Sequence, residues 1–195
     1  MKLLLLLMLI SLSSIAGEFS IERFNGDVLV NSIIVTKDNF KTLEINVGDT
    51  LSARGKKSLV QVKSSGGSTF LIRNGDLTIK KFQKKVTVVH LLKGKFFHYL
   101  DTKTKKRSFI VKTKTASLGV RGTKYMVEAT DDKTYLCVCE GRVAIKSNLS
   151  QKLYTASKGE DIDILNSIAD FKVREASDMM YDMTVKEFSE MGLPL

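Results

Sequence analysis

Two thiols, two imidazoles and a scatter of carboxylates are the side chains of this 195-residue sequence that could do chemistry. Cys137 and Cys139 stand one residue apart, the spacing of a redox pair or of half a metal site completed by His90 or His98. On a strand the two would share a face with Cα atoms about 6.5–7 Å apart, at the limit of what a disulfide bridges, so two buried thiols are expected. Neither the C-x₂-C nor the H-x₃-H spacing of a metal site occurs, and the sequence reading assigns no metal and no cofactor. Acid–base work would fall to carboxylates such as Glu128, Glu140 and Asp161, but these lie in charge-rich, turn-like settings. No Ser-His-Asp or Cys-His context and no phosphate-cradling glycine loop accompanies them, so no catalytic residue is nominated and a non-enzymatic protein is expected.

The elements that must position these groups are strands. From Asn25 onward, apolar and polar residues alternate over short runs, the pattern of half-buried strands. Runs such as Val28 to Val35, Leu59 to Lys63, Thr69 to Arg73, Leu77 to Phe82, Lys95 to Leu100, Lys124 to Ala129 and Thr134 to Glu140 predict an all-β fold of 11 to 13 short strands. The single proline is Pro194, so glycines supply the punctuation. Asn74-Gly75 reads as the two-residue turn of a hairpin, because both types accept positive φ. Gly75, Gly94, Gly122, Gly141 and Gly159 follow at intervals of 19, 28, 19 and 18 residues, which suits a β-solenoid or the regular turns of a β-sandwich.

Charge is uneven. The chain carries 31 basic and 21 acidic residues, and between Arg54 and Lys114 seventeen Lys or Arg meet only Asp76 and Asp101, a local excess of 15. Lys80, Lys81, Lys84, Lys85, Lys105, Lys106 and Arg107 are the candidate anion surface, facing phosphate-rich glycan, lipopolysaccharide or anionic lipid. Nucleic acid is disfavoured, since no aromatic residues are interleaved for base stacking.

The chain opens with Met1-Lys2, an apolar run from Leu3 to Ile10, and the small-residue exit Ser14-Ile15-Ala16. That is the form of a secretory signal peptide over residues 1–16, too short to span a bilayer. Export is expected, to the periplasm first, with surface or secreted destinations sharing the same signal. Residues 17–166 form the predicted β domain. Beyond Asn166 the texture changes: Phe171, Val173, Ala176, Met180 and Met183 recur at helical steps, so residues 167–195 read as an amphipathic helical tail. Thr184-Val185-Lys186-Glu187 resembles a capping box that would open a second short helix ending at Gly192. Met179, Met180, Met183 and Phe188 would fill an irregular groove on the β core, or else offer a soft docking surface to a partner protein.

Three segments in order complete the reading. Phe109 to Ala116, Gly119-Val120-Arg121-Gly122-Thr123-Lys124-Tyr125, and Thr134 to Cys139 leading into Glu140-Gly141-Arg142-Val143 resemble the core of the FecR family. Val47-Gly48-Asp49-Thr50-Leu51, Leu92-Lys93-Gly94-Lys95-Phe96-Phe97 and Lys158-Gly159-Glu160 match its flanking steps, so the likeness covers about residues 26 to 165. The resemblance implies a FecR-like fold with a sensing or binding role. Membrane-bound regulators of that family add a sigma-factor-contacting segment and a spanning helix where this sequence has an export signal. Gly48, Asp49, Gly94, Arg121, Gly122, Thr123, Glu140, Gly141 and Gly159 are read as fold residues, the glycines for backbone angles closed to other residues and Thr123 for a bond to its own turn. The function expected is a cell-envelope binding, sensing or scaffolding module acting on an envelope protein, or a binder of anionic envelope polymer through residues 54–114.

Overall fold

Alternating apolar residues and a chain free of proline before residue 194 let strands run far. In the computed structural model, which describes residues 18–100 and 107–193, β1 (Phe19–Val30), β3 (Thr50–Ser64), β4 (Ser68–Gln83) and β5 (Val86–Leu100) are 12 to 16 residues long, while β2 (Ile33–Ile34) is a two-residue edge. The expected leader, Lys105, Lys106 and Pro194 lie outside the described residues. Strands account for 61% of the structure and stay in one open sheet, so the all-β class holds.

Each long strand is interrupted at one level. The β1–β3 register shifts between Asn25 and Asp27, the β3–β4 pairing lapses between Ala53 and Leu59, and the β4–β5 register shifts between Arg73 and Asp76. Gly26 (φ 71°), Gly55 (φ 95°), Asn74 (φ 46°) and Gly94 (φ 93°) occupy this row. The approach is closest between β4 and β5, where a Cβ on Gly94 would overlap the Asn74 carbonyl oxygen and the Gly75 Cα. Asn74-Gly75 is therefore not a hairpin turn. Its flanks both stay paired with β3 and β5, so the dipeptide is a bulge inside one continuous strand, and with the interruptions of β3 and β5 six of the predicted short strands merge into three.

Beyond β5 the sheet divides. Val86 to His90 pair in parallel with β6 (Ser108–Lys112), whereas Gly94 to Tyr99 pair antiparallel with β8 (Lys124–Ala129). One branch continues from β6 through β7 (Ala116–Val120), β10 (Arg142–Ser147) and β11 (Leu153–Ser157). The other continues from β8 through β9 (Lys133–Glu140), β12 (Glu160–Leu165) and β13 (Arg174–Glu175). Both leave the same side of β5 on either side of the interruption, so they lie in different layers. Their inner faces meet: Val111, Leu118 and Ile145 of one share a buried cluster with Val127, Leu136 and Ile162 of the other and with Phe70 and Phe96. The glycine period marks bends and turns of this arrangement, not repeated coils.

The opposite faces of β3, β4, β5, β8 and β9 lie under α1 (Asp178–Glu190). Leu59, Leu71, Phe97, Met126, Tyr135, Cys137 and Cys139 form a second cluster with Phe188 and Met191. Phe188 is fully buried, edge-on to Phe97 at 6.1 Å, a burial contributing about 2–3 kcal/mol. The tail differs from its sequence reading. Residues 166–177 are not helical, because Arg174 and Glu175 pair with β12, and Thr184 opens no second helix, since its buried hydroxyl donates to the Met180 carbonyl at 2.8 Å in mid-helix. Gly192 (φ 75°) closes α1, with the Leu193 N–H donating to the Phe188 carbonyl.

An ion pair pins the helix: Arg73 Nη2 lies 2.7 Å from Glu187 Oε1, both largely shielded. Glu187→Ala is expected to weaken docking of α1 by about 1–2 kcal/mol. Because the helix covers both thiols, their modification by a disulfide reagent should quicken about tenfold, read by absorbance under native conditions.

Candidate functional site

The family-motif residues build turns rather than one site. Gly122 (φ 66°) and Gly141 (φ 82°) stack the β7–β8 turn on the β9–β10 turn, and a Cβ on Gly141 would come within 2.6 Å of the Gly122 carbonyl oxygen. The Thr123 hydroxyl is buried with no hydrogen-bond partner, so it does not bond its own turn as expected; its methyl fills the space beneath Gly141 instead. Elsewhere, the Asp49 carboxylate accepts from the Asn46 N–H and from Asn31 Nδ2, both at 2.8 Å, tying the loop at Gly48 to the β1–β2 turn. Glu140 pairs with Lys124 at 3.4 Å, and the Gly159 carbonyl accepts the Ala176 N–H at 2.9 Å, which fixes the chain entering α1.

The carboxylates considered for catalysis do not converge. Glu128 faces Lys95 at 3.8 Å across β5 and β8. Asp161, buried on β12, accepts from the Tyr135 hydroxyl at 2.8 Å and meets Arg174 Nε at 2.9 Å, which is what holds β13 in place. Burial first and the bond to Asp161 second push the Tyr135 phenol up.

His90 and His98 part company with the cysteines. His98 lies in the inner core, its ring 3.9 Å from that of Phe109 and stacked on Phe96, with neither nitrogen hydrogen-bonded. Burial holds it down to about 3, so it is a neutral core imidazole. Cys137 and Cys139 are on the other face of the sheet, under α1, both free and fully buried. The two thiols shift each other: the neighbouring Cys139 lowers Cys137, and Cys137 together with burial raises Cys139. Among the described residues no cluster of three His, Cys, Asp or Glu could hold a metal ion.

The tail methionines turn mostly inward. Met180 and Met183 pack against the second cluster with Phe188, and of the four tail residues singled out only Met179 is fully exposed, at 75%. The described candidate anion residues gather around the β4–β5 turn. Lys84 and Lys85 occupy the β4–β5 turn, Lys80 and Lys81 a bulge in β4, and Arg107 is half-buried over the Phe82 ring at 4.1 Å, donating to the Gln83 carbonyl.

Sequence reasoning missed a different surface, the outer face of the β6–β7–β10–β11 branch. Cross-strand register aligns Ile110, Gly119, Ala144 and Thr155 in one row, and Lys112, Ser117, Lys146 and Leu153 in the next. Arg121 and Arg142 follow the Val120–Val143 pair at the opposite end. Small side chains in the middle row leave a shallow depression of about 470 Å³, lined by Ser108, both arginines and the middle row. His90, beside Lys112 on β5, is held below its ordinary value by burial and then by Lys80 and Lys112. No sequence run announces this surface, because only strand register brings residues 108–112, 117–121, 142–146 and 153–157 together.

The sequence model of the FecR protein family matches residues 49–144, a span from the loop before β3 to the middle of β10. Two crystal structures of a protein from Parabacteroides distasonis ATCC 8503, provisionally assigned as an anti-sigma factor and solved at 1.65 and 2.50 Å, share the fold with a TM-score of 0.56. Identity is 19% over 66% of this chain, which spans 60% of theirs. No curated protein sequence matches. The matched residues hold the bend, the branch point at β5 and the stacked glycine turns, and with them the chain carries a domain of the FecR family.

Proposed function

We propose that this protein is an exported, non-catalytic sensing module of the cell envelope that acts by contact with another protein. The family match carries this reading, since FecR proteins are envelope-associated and regulatory, and the amino-terminal sequence has the form of an export signal. Among the described residues no helix is long and apolar enough to cross a membrane. The fold supplies a means of contact. Among the described residues β11 pairs on one side only, with β10, and it carries Leu153, 77% exposed, after a turn that holds Leu149, 54% exposed. Such an edge accepts a strand from a partner, main chain giving affinity and side-chain pockets giving choice.

Cross-linking the C-terminally tagged protein in intact source cells, followed by purification at low and high salt, tests the proposal. A discrete protein retained at high salt, and lost from a Leu153→Lys variant, is the expected result. Recovery of no protein once salt is raised would sink it, because screening removes only long-range charge attraction.

A further inference from the structure

The outer face of the β6–β7–β10–β11 branch has features that a sheet face exposed only for solubility does not need. Its four strands together contain Lys112, Arg142 and Lys146 and not one Asp or Glu. A solvated face ordinarily mixes both signs. Lys112, Arg142 and Lys146 are exposed and make no ion pair or hydrogen bond among the described residues, although seven other lysines of the chain do pair with acids. Between the arginine end and the lysine row lie two steps of two residues, roughly 13 Å. The floor between them is Gly119, Ala144 and Thr155 with the half-buried Ile110 at its β6 end, and Ser108 and Ser117 stand at its margins.

We infer that this depression binds an anionic glycan, a chain of uronic-acid type lying across the strands. The choice among polyanions follows from what the face offers. Backbone N–H and C=O groups here are consumed by the sheet ladder, so an acidic peptide laid on the face would leave its own amides unpartnered, at a desolvation cost. A sugar chain carries its polar groups as hydroxyls and carboxylates. Its hydroxyls meet Ser108, Ser117 and Thr155, its ring faces rest on Gly119 and Ala144, and its carboxylates reach cations on both flanks. A guanidinium such as that of Arg142 presents two parallel donors to a carboxylate. Extended glycans also turn successive rings over, which sends carboxylates alternately to the arginine side and the lysine side. Of the basic 54–114 stretch only Ser108 to Lys112 takes part, and the site shares β11 with the proposed partner contact, Leu153 standing at the end of its lysine row.

Titration calorimetry of the full mature chain with a galacturonate oligomer tests this, beside polyglutamate, polyphosphate and neutral dextran as comparison probes. The oligomer should bind, dextran should not, and affinity should fall with salt. The pair Arg142→Glu and Lys146→Glu should weaken binding about tenfold or more, while Lys84→Glu with Lys85→Glu leaves it unchanged. All four side chains are exposed, so folding is not at stake, and the neutral pair Arg142→Gln and Lys146→Gln should give a smaller loss of the same kind. The inference fails if the galacturonate oligomer does not bind, if both pairs of reversals weaken it alike, or if polyglutamate or polyphosphate binds as tightly. Each of these outcomes leaves the capture of a protein partner in cells untouched, so the two readings stand or fall separately.

Discussion

Gly94→Ala is expected to cost about 3–5 kcal/mol, a large share of the roughly 5–15 kcal/mol that holds a domain folded. Two penalties add at this position. A φ of 93° disfavours any L side chain by about 1–2 kcal/mol, and the new methyl would overlap backbone atoms of Asn74 and Gly75, which cannot swing aside as a flexible side chain would. Gly48→Ala separates the two penalties, because Gly48 has φ 102° but nothing within 4 Å of an added Cβ. It should lose only about 1–2 kcal/mol. Urea denaturation of both variants reads the difference directly. Equal losses would mean that β4 and β5 do not touch at the bend, and the two-layer arrangement would lose its physical basis.

Mild acid should destabilise the protein through His98. A buried imidazole with no hydrogen-bond partner resists its proton down to about 3, whereas the unfolded chain takes one up near 6.5. Between these values the unfolded state binds more protons, so stability is full above about 6.5 and falls as pH drops toward 3. The loss is about 2 kcal/mol at pH 5 and about 4 kcal/mol at pH 3. His90 contributes in the same direction, and Asp163, held low by Arg174 and Lys133 against its burial, adds a loss only at lower pH. His98→Phe isolates the term: thermal melts from pH 7 to 4.5 should fall steeply for the natural chain and much less for the variant. Parallel curves would show that His98 finds a proton acceptor or solvent in the core.

Local patterning carried the fold class, the strand-rich span and the buried pair of thiols, because period-two alternation depends only on neighbours in sequence. The bend was hidden for a specific reason. Asn74-Gly75 has the composition of a turn, and nothing nearby says that Lys93-Gly94 lies against it and keeps the strand going. Helical spacing in the tail misled in the same way: Phe171 and Val173 face the β core from a loop, and Tyr154 receives Phe171 edge-on at 5.8 Å. The charged surface was the least legible. Lysine density drew attention to residues 80–107, yet one cation from each of β6 and the end of β7, and two from β10, converge only through register.

The branching at β5 also dictates an order of assembly. β3, β4 and β5 form a simple meander joined by the short turns 65–67 and 84–85, and β1 pairs with β3 across residues 31–49, so this half can pair as soon as it leaves a ribosome or a translocation pore. The second half cannot follow strand by strand. β7 must wait for β10, with β8 and β9 intervening on the opposite layer, and β9 must wait for β12, with β10 and β11 intervening. The two branches are thus interleaved along the chain, the first complete at Ser157 and the second only at Glu175. Such long loops slow pairing and leave edges bare in the interval. A chain delivered amino end first therefore holds a finished platform and an unfinished one together for part of its synthesis, and α1, last to arrive, seals the face of β3, β4, β5, β8 and β9 that holds the thiols.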